Sequence, residues 1–511
     1  MIALRFELAE LDPAVEAAVD ALVAADAVGR LWAKDHTVFG EDPADNANRM
    51  GWLDAPSSSL DAWPDLASTA AAVVAESDHI LVMGMGGSSL FPEVLGEMFG
   101  SDAPQLHVLD STHPDVIRRI AAACPPDRTF HVASSKSGTT LETRSHLDFF
   151  LDRSGDPRRF GVVTDPGSAL EQRATESGFG HIWLADPNIG GRYSALSLFG
   201  MVPAALIGAD GPELLGAALD ESDALEPLDG DDAFNDAVRL AAVIGAAAQA
   251  GRDKLTFWLD DRIAAFGPWV EQLVAESLGK HGIGVVPIIG EPRDIAIAHP
   301  DDRLIIAVGE LSDRAPGVPT VSMPIEEPGD LGALVQLWCT AIALAGRVLG
   351  INPFDQPDVE SAKVAARQLL EPADDSPSDS TDPDETAIEQ ALAEVRPGDH
   401  LALCAFADPA SVAEPLAAVR ASLGRRLGVA TSASIGPRFL HSTGQLHKGG
   451  PHDQIIFQVV DTPTADLAIP GQSFTFGTLI RAQAAGDLAA LRSAGQRAHR
   501  IDLAALLALA D

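Results

Sequence analysis

The sequence predicts an α/β protein: two doubly wound units with parallel sheets, followed by a smaller C-terminal α/β module. Three observations carry that expectation. Short apolar runs such as Asp78–Met83, Thr129–Ala133 and Phe160–Thr164 alternate with helical patterns along most of the chain. Their near-continuous apolar character fits strands buried on both faces, as in a parallel sheet covered by helices. One stretch breaks the alternation. Glu371–Glu385 is acidic, rich in Pro and Ser and without a large apolar residue, so it cannot bury a core and reads as a linker.

With 511 residues and 46% hydrophobic content, the chain is long enough for about three domains of ~150 residues. The expected division is a helical N-terminal appendage (1–60), a first unit (61–215), a second (216–370), the linker (371–385) and the C-terminal module (386–511). In the appendage, Asp12-Pro13 opens an Ala-rich amphipathic run, and Trp32 and Trp52 are placed to pack it onto the body. The first unit continues through Leu106–Asp110 and His181–Leu184. The second has strand-like runs at Lys254–Leu259, Gly284–Ile289, Arg303–Val308 and Val318–Met323. The module repeats the pattern at His400–Phe406, Gly428–Ser432, Gln454–Val460 and Ala498–Asp502.

No apolar run reaches the ~20 residues of a membrane span, and the N-terminus lacks the layout of a signal peptide. Cys124, Cys339 and Cys404 form no CxxC pair and read as reduced, buried thiols of a cytoplasmic protein. A net charge of −39 argues against nucleic acid and anionic membranes as partners, because both need a basic face. It also repels anionic metabolites, so a phosphate site has to be built from local cations. Only six lysines are present: Lys34, Lys136, Lys254, Lys280, Lys363 and Lys448.

Lys136 lies in Ser134-Ser-Lys-Ser-Gly-Thr-Thr-Leu-Glu-Thr143, between a strand-like run and a helical pattern. Hydroxyls and the free amides of a first helical turn suit a phosphate, and the helix dipole favours the anion. Thr139 and Glu142 also fit a capping box. Gly84-Met-Gly-Gly-Ser-Ser89 follows a strand and opens a helix, with Asp110 ending the next strand. It imitates a dinucleotide fingerprint, but Ser89 stands where the third glycine belongs. A glycine turn with Ser88 on a sugar phosphate is an equal reading.

Gly190-Gly-Arg-Tyr-Ser194 sets a guanidinium where it can stabilise an oxyanion, or leaves it as a surface arginine in a turn. On the helical run ending at Gly279, Gln272 and Glu276 share a face among Val270, Leu273, Val274 and Leu278. A dry face raises a carboxylate's proton affinity, which suits a general base, whereas Glu271 is expected in solvent. Gln356 and Lys363 sit at the mouth of a further helix and about two turns in, which suits either a shared ligand or a simple capped helix.

These five motifs occur in the order seen in glucose-6-phosphate isomerases, which the chain resembles over about residues 75–365. The tail, Gly436–Pro451, is similar to the isomerase half of bacterial fused transaldolase/glucose-6-phosphate isomerases; the transaldolase half is absent. The resemblance implies two sugar-isomerase-type domains, a homodimer and glucose 6-phosphate and fructose 6-phosphate as substrates. Gly87, Ser88, Ser135, Lys136, Ser137 and Thr140 would bind substrate, mainly through its phosphate. Glu276 would move the proton between carbons 1 and 2, and Arg192 would stabilise the enediolate. Gln272 and Gln356 would orient hydroxyls and Lys363 would assist ring opening. No metal or cofactor is needed for such proton transfer.

The histidine with which the family opens the sugar ring is missing from Leu311–Pro319, the nearest upstream being His299. His441 or His447, beside Lys448, is the expected substitute. A broader isomerase that also takes mannose 6-phosphate, and a non-catalytic phosphosugar-binding regulator, are the alternatives.

Overall fold

The computed structural model describes residues 2–100, 104–227, 232–310, 315–358 and 385–510. Lys363 and all of the expected linker but its last residue lie outside the described residues.

The N-terminal stretch differs from the helical appendage expected of it. It opens with β1 (Arg5–Glu7), followed by the helix Asp12–Ala24. The chain then builds β2 (His79–Met83), β3 (Gln105–Leu109), β4 (Thr129–Ser134), β5 (Phe160–Thr164) and β6 (His181–Leu184). These five strands are parallel in the order β3-β2-β4-β5-β6. The central strands β4 and β5 are buried on both faces, whereas β6 at the edge leaves Ile182 and Leu184 exposed. Apolar runs without alternation are what two-sided burial demands.

A second parallel sheet contains β7 (Lys254–Leu259), β8 (Val286–Ile289), β9 (Arg303–Val308) and β10 (Thr320–Met323). Its order is β1-β10-β9-β7-β8, with β1 antiparallel to β10. The first residues therefore complete the edge of the second sheet. The helix Asp12–Ala24 follows β1 onto the helix Asp236–Gln249, burying Val15, Val19 and Leu22. Such an edge strand was illegible in the sequence, because three residues carry no usable periodicity.

The third sheet, β11 (His400–Phe406), β12 (Ala430–Ile435), β13 (Gln454–Val460) and β14 (Arg497–Ile501), is parallel in the order β12-β11-β13-β14. All three sheets wind alike: the second strand pairs on one side of the first and the third strand on the other. Each is a doubly wound unit with one point where the winding reverses, and ligands bind at the carboxyl ends of the strands there. In the first sheet this point falls between β2 and β4.

The helix Asp330–Leu349 is long and apolar enough to cross a membrane by length and composition, but it is a core helix. It packs on the helices Gly211–Leu225 and Asp236–Gln249, with Trp338 fully enclosed. The third sheet's unit is docked against both others. Ile469, Phe476 and Leu479 share an apolar cluster with Leu81, Met83 and Phe150 of the first unit. On the other side, Ala430 and Leu446 pack on Ala275, Val286 and Ile288. Glu291 ties this second contact, bridging Arg303 at 2.8 Å and the amide of Thr431 at 2.8 Å.

Candidate active site

A cleft of about 330 Å³ opens at the winding-reversal point of the first sheet. Seven chain segments line it: 85–88 after β2, 134–140 after β4, Asp165 after β5, Gly191, Gln272 with Glu276, Gln356, and His441.

After β2 the chain makes a 3₁₀ turn over Gly86–Ser88. A side chain on Gly87 would meet the carbonyl oxygen of Gly191 at 1.9 Å, and one on Gly86 would meet that of His441 at 2.8 Å. Both glycines therefore let the Gly190–Ser194 turn and the His441 turn close over the cleft. Ser88 is buried at the wall, and Asp110 is engaged by Arg438 Nε at 3.3 Å.

Ser135, Ser137 and Thr140 sit around the mouth of the helix Leu141–Ser154. Ser135 Oγ lies 3.1 Å from Thr140 Oγ1, and Ser137 Oγ accepts the amide of Thr139 at 3.2 Å. Lys136 reaches the same mouth, but its charge is engaged. Nζ is 2.6 Å from Asp165 Oδ2 and donates to the carbonyl of Pro187 at 2.8 Å.

The capping box does not form: Thr140 is the cap residue and its side chain makes no cap bond. Glu142 instead turns into the interior, where Oε1 lies 2.8 Å from His441 Nε2 and accepts Gln483 Nε2 at 2.7 Å. Burial pushes the Glu142 carboxyl up, but the His441 charge and hydrogen bond outweigh it and hold the group at about 2.

Arg192 lies in the 3₁₀ turn Gly191–Tyr193, pinned by the single tyrosine. Tyr193 stacks on Trp52 at 5.3 Å, packs on Phe354 and sets its hydroxyl 3.3 Å from Ser277 Oγ. That fixes the 2%-exposed guanidinium, whose NH1 donates to Glu276 Oε2 at 3.1 Å and NH2 to the Asp355 carbonyl at 3.0 Å. Gln356 donates to the same Glu276 Oε2 at 2.7 Å. Both contacts fall on Oε2, and Gln272 also faces the carboxyl. Burial raises the proton affinity of Glu276 and Arg192 opposes it.

Gln272, one turn earlier on the helix Phe266–Leu278, donates to the carbonyl of His441 at 2.8 Å. Among the described residues, neither Gln272 Oε1 nor Arg192 Nε has a hydrogen-bond partner. Lys280 braces the loop carrying Gln356, with Nζ 2.6 Å from Asp355 Oδ1; burial, with Arg192 nearby, pushes its ammonium down to about 7.

All predicted site residues inside the described segments gather at this cleft, Arg192 through its contact with Glu276. Two corrections concern their neighbours. Glu271 is half-buried, not solvated: burial pushes its carboxyl up to about 7 against the pull of Arg438 and Arg420. Of the candidate histidines, only His441 lines the cleft. His447 is buried with Nδ1 3.9 Å from Cys404 Sγ, its proton affinity pushed down to about 3 chiefly by burial. His299 packs against Gly428, at the end of the helix Pro409–Leu427. Sequence reasoning missed Asp165, which its place just after β5 could have flagged. It also missed Gln483, for which no local signal existed.

No family model matches the chain. It is 29% identical over 352 residues to a glucose-6-phosphate isomerase of Synechococcus sp. (strain JA-2-3B'a(2-13)), covering 57% of this chain and 66% of the relative. To that of Thermus thermophilus it is 28% identical over 382 residues, covering 63% of this chain and 90% of the relative. The chain thus spans just under two thirds of the cyanobacterial relatives' length. A solved hypothetical protein, also from Thermus thermophilus, superposes with a TM-score of 0.62 at 25% identity, over 72% of this chain and all of its own. A glucose-6-phosphate isomerase structure from Chlamydia trachomatis gives 0.60 at 18% identity over 70% of this chain and 85% of its own, a likeness of fold.

The doubly wound sheets and the cleft at the first sheet's reversal point define an α/β protein whose fold is like that of the Chlamydia trachomatis glucose-6-phosphate isomerase. In sequence the chain is similar to glucose-6-phosphate isomerases at 28–29% identity over more than half its length.

Proposed function

We propose that this chain interconverts glucose 6-phosphate and fructose 6-phosphate by proton transfer through an enediolate. One observation carries the reading: a buried carboxylate, Glu276, is held on one oxygen by Arg192 and Gln356 and opens on the same cleft as the hydroxyl-rich helix mouth. Phosphate at Ser88, Ser135, Lys136, Ser137 and Thr140 anchors the far end of the sugar. Carbons 1 and 2 then lie toward Glu276.

His441, paired with Glu142, gives a proton to the ring oxygen as the C1–O5 bond breaks, and the anomeric hydroxyl gives up its own to solvent in the open cleft. Lys363, a role taken from the resemblance, assists this step. Glu276 takes the C2 proton, Arg192 stabilises the enediolate charge, and return of the proton to C1, with the O2 proton passing to O1, gives the ketose. Gln272 and Gln356 orient the hydroxyls during the transfer.

The ring-opening histidine comes from the same chain in this reading, so a homodimer, kept from the resemblance, supplies no residue to the site. Three free buried cysteines support a reducing, cytoplasmic setting. Glucose 6-phosphate deuterated at carbon 2 tests the proposal. The wild type should exchange the label with solvent and Glu276→Gln should bind substrate without exchange. Exchange surviving in Glu276→Gln refutes the assignment of the base.

A further inference from the structure

Four side chains behind the cleft form one hydrogen-bonded line. Thr112 Oγ1 donates to Gln483 Oε1 at 2.7 Å. Gln483 Nε2 donates to Glu142 Oε1 at 2.7 Å, and the same oxygen meets His441 Nε2 at 2.8 Å. Only His441 lines the cleft; Thr112, Glu142 and Gln483 are buried behind it. Gln483 lies on the helix Phe476–Ser493, which anchors the C-terminal module in the core of the first unit through Phe476 and Leu479.

The chemistry of the line is one-directional. An ionised carboxylate only accepts, so Gln483 has to present its NH₂ to Glu142. The Thr112 hydroxyl donates to the opposite end of that amide and opposes a flip, which would put carbonyl oxygen against carboxylate. Gln483 is also neutral. A lysine in its place would cancel the Glu142 charge that the imidazole uses, whereas an amide orients the carboxylate and leaves its charge intact. Glu142 Oε1 in turn keeps a proton on His441 Nε2, so Nδ1 is the nitrogen that gives up its proton in ring opening and is left bare in the neutral ring.

Other charged groups face the pair. Glu276 stands on the helix Phe266–Leu278, Asp110 after β3, His146 one turn beyond Glu142, and Arg438 at the start of the histidine's own turn. Glu276 and Asp110 each feel the His441 charge, and His146 faces Glu142 with Nε2 3.0 Å from the Ser111 carbonyl. None of these hydrogen-bonds to Glu142 Oε1; Gln483 is the side chain that shares that oxygen with His441.

We propose that Gln483, itself set by Thr112, is a positioning residue that fixes Glu142 and thereby the tautomer of His441 for ring opening. This rests on the isomerase reading, so the test has one readout that needs no turnover. Nitrogen-15 chemical shifts of the imidazoles should place the His441 proton on Nε2 in the wild type. Gln483→Leu should give a mixture of tautomers and lower kcat on the ring-closed sugar by about tenfold, with KM within about twofold. The limb of the pH–rate profile that His441→Gln removes should also move.

Thr112→Val, which keeps the packing volume and leaves Gln483 in place, should show the same changes in smaller measure and carries the test if Gln483→Leu does not fold. An unchanged tautomer in the variant, or a loss of kcat with tautomer and pH profile unmoved, overturns the proposal. Absence of turnover in the wild type would instead refute the isomerase reading and leave the tautomer measurement to judge Gln483.

Discussion

Replacing Glu142 by Gln tests the electrostatics of the site, because the carboxylate is buried and its partners are known. Burial alone would push the group up, yet His441 brings it from 4.5 to about 2. The sign follows from linkage: a depressed carboxylate stabilises the fold above its unfolded value and loses that contribution as pH falls through its folded value. With His441 charged, the gap is worth about 3 kcal/mol above the unfolded value, of which about 1.4 kcal/mol is gone by pH 3.5. Glu142→Gln cannot ionise, so its deficit against the wild type should shrink by that amount between pH 7 and 3.5. Urea unfolding of both proteins across this range measures it, since the other carboxylates titrate alike in both and cancel in the difference. A deficit that stays constant with pH would refute the ion pair as the source of the depressed value. The same variant should lose most turnover of the ring-closed sugar.

Three further outcomes follow from the geometry. Lys136→Ala should raise KM about tenfold and leave kcat within about threefold, since a charged hydrogen bond to phosphate contributes ~1.5 kcal/mol. Asp165→Asn should act oppositely and tighten binding of inorganic phosphate, by removing the carboxylate 2.6 Å from Lys136 Nζ; calorimetric titration reads both. Arg438→Met leaves Glu93 and Asp110 without their shared cation and loosens the turn that carries His441. It should cost about 2 kcal/mol in urea unfolding and lower kcat more than it raises KM.

The motifs that line the cleft were legible because each is local. A hydroxyl-rich loop at a helix mouth, glycines before Ser88, Gln272 and Glu276 on one helical face, and Gly-Gly-Arg-Tyr-Ser each state their chemistry within a few residues. The alternation of apolar runs and helical patterns likewise announced two parallel sheets and a further α/β module, since burial on both faces is written into each central strand. Two local readings failed for a tertiary reason. Glu142 had the spacing of a cap, and Glu271 looked like a solvated helix residue. Helical spacing says which residues share a face, but not what packs there, and in both cases the C-terminal module covers them.

Residue patterns alone point to the winding class and the loop that suits a phosphate, whereas the joint use of Glu276 and Arg192 is implied only by the resemblance. Which histidine enters the cleft is settled by packing. His441 and His447 lie six positions apart on one polar stretch. The turn Arg438–His441 points one ring at Glu142, while the helix Gly444–Gly449 buries the other beside Cys404. That choice depends on how a third sheet docks against the first two. It is made by contacts across hundreds of residues, for which no local pattern exists.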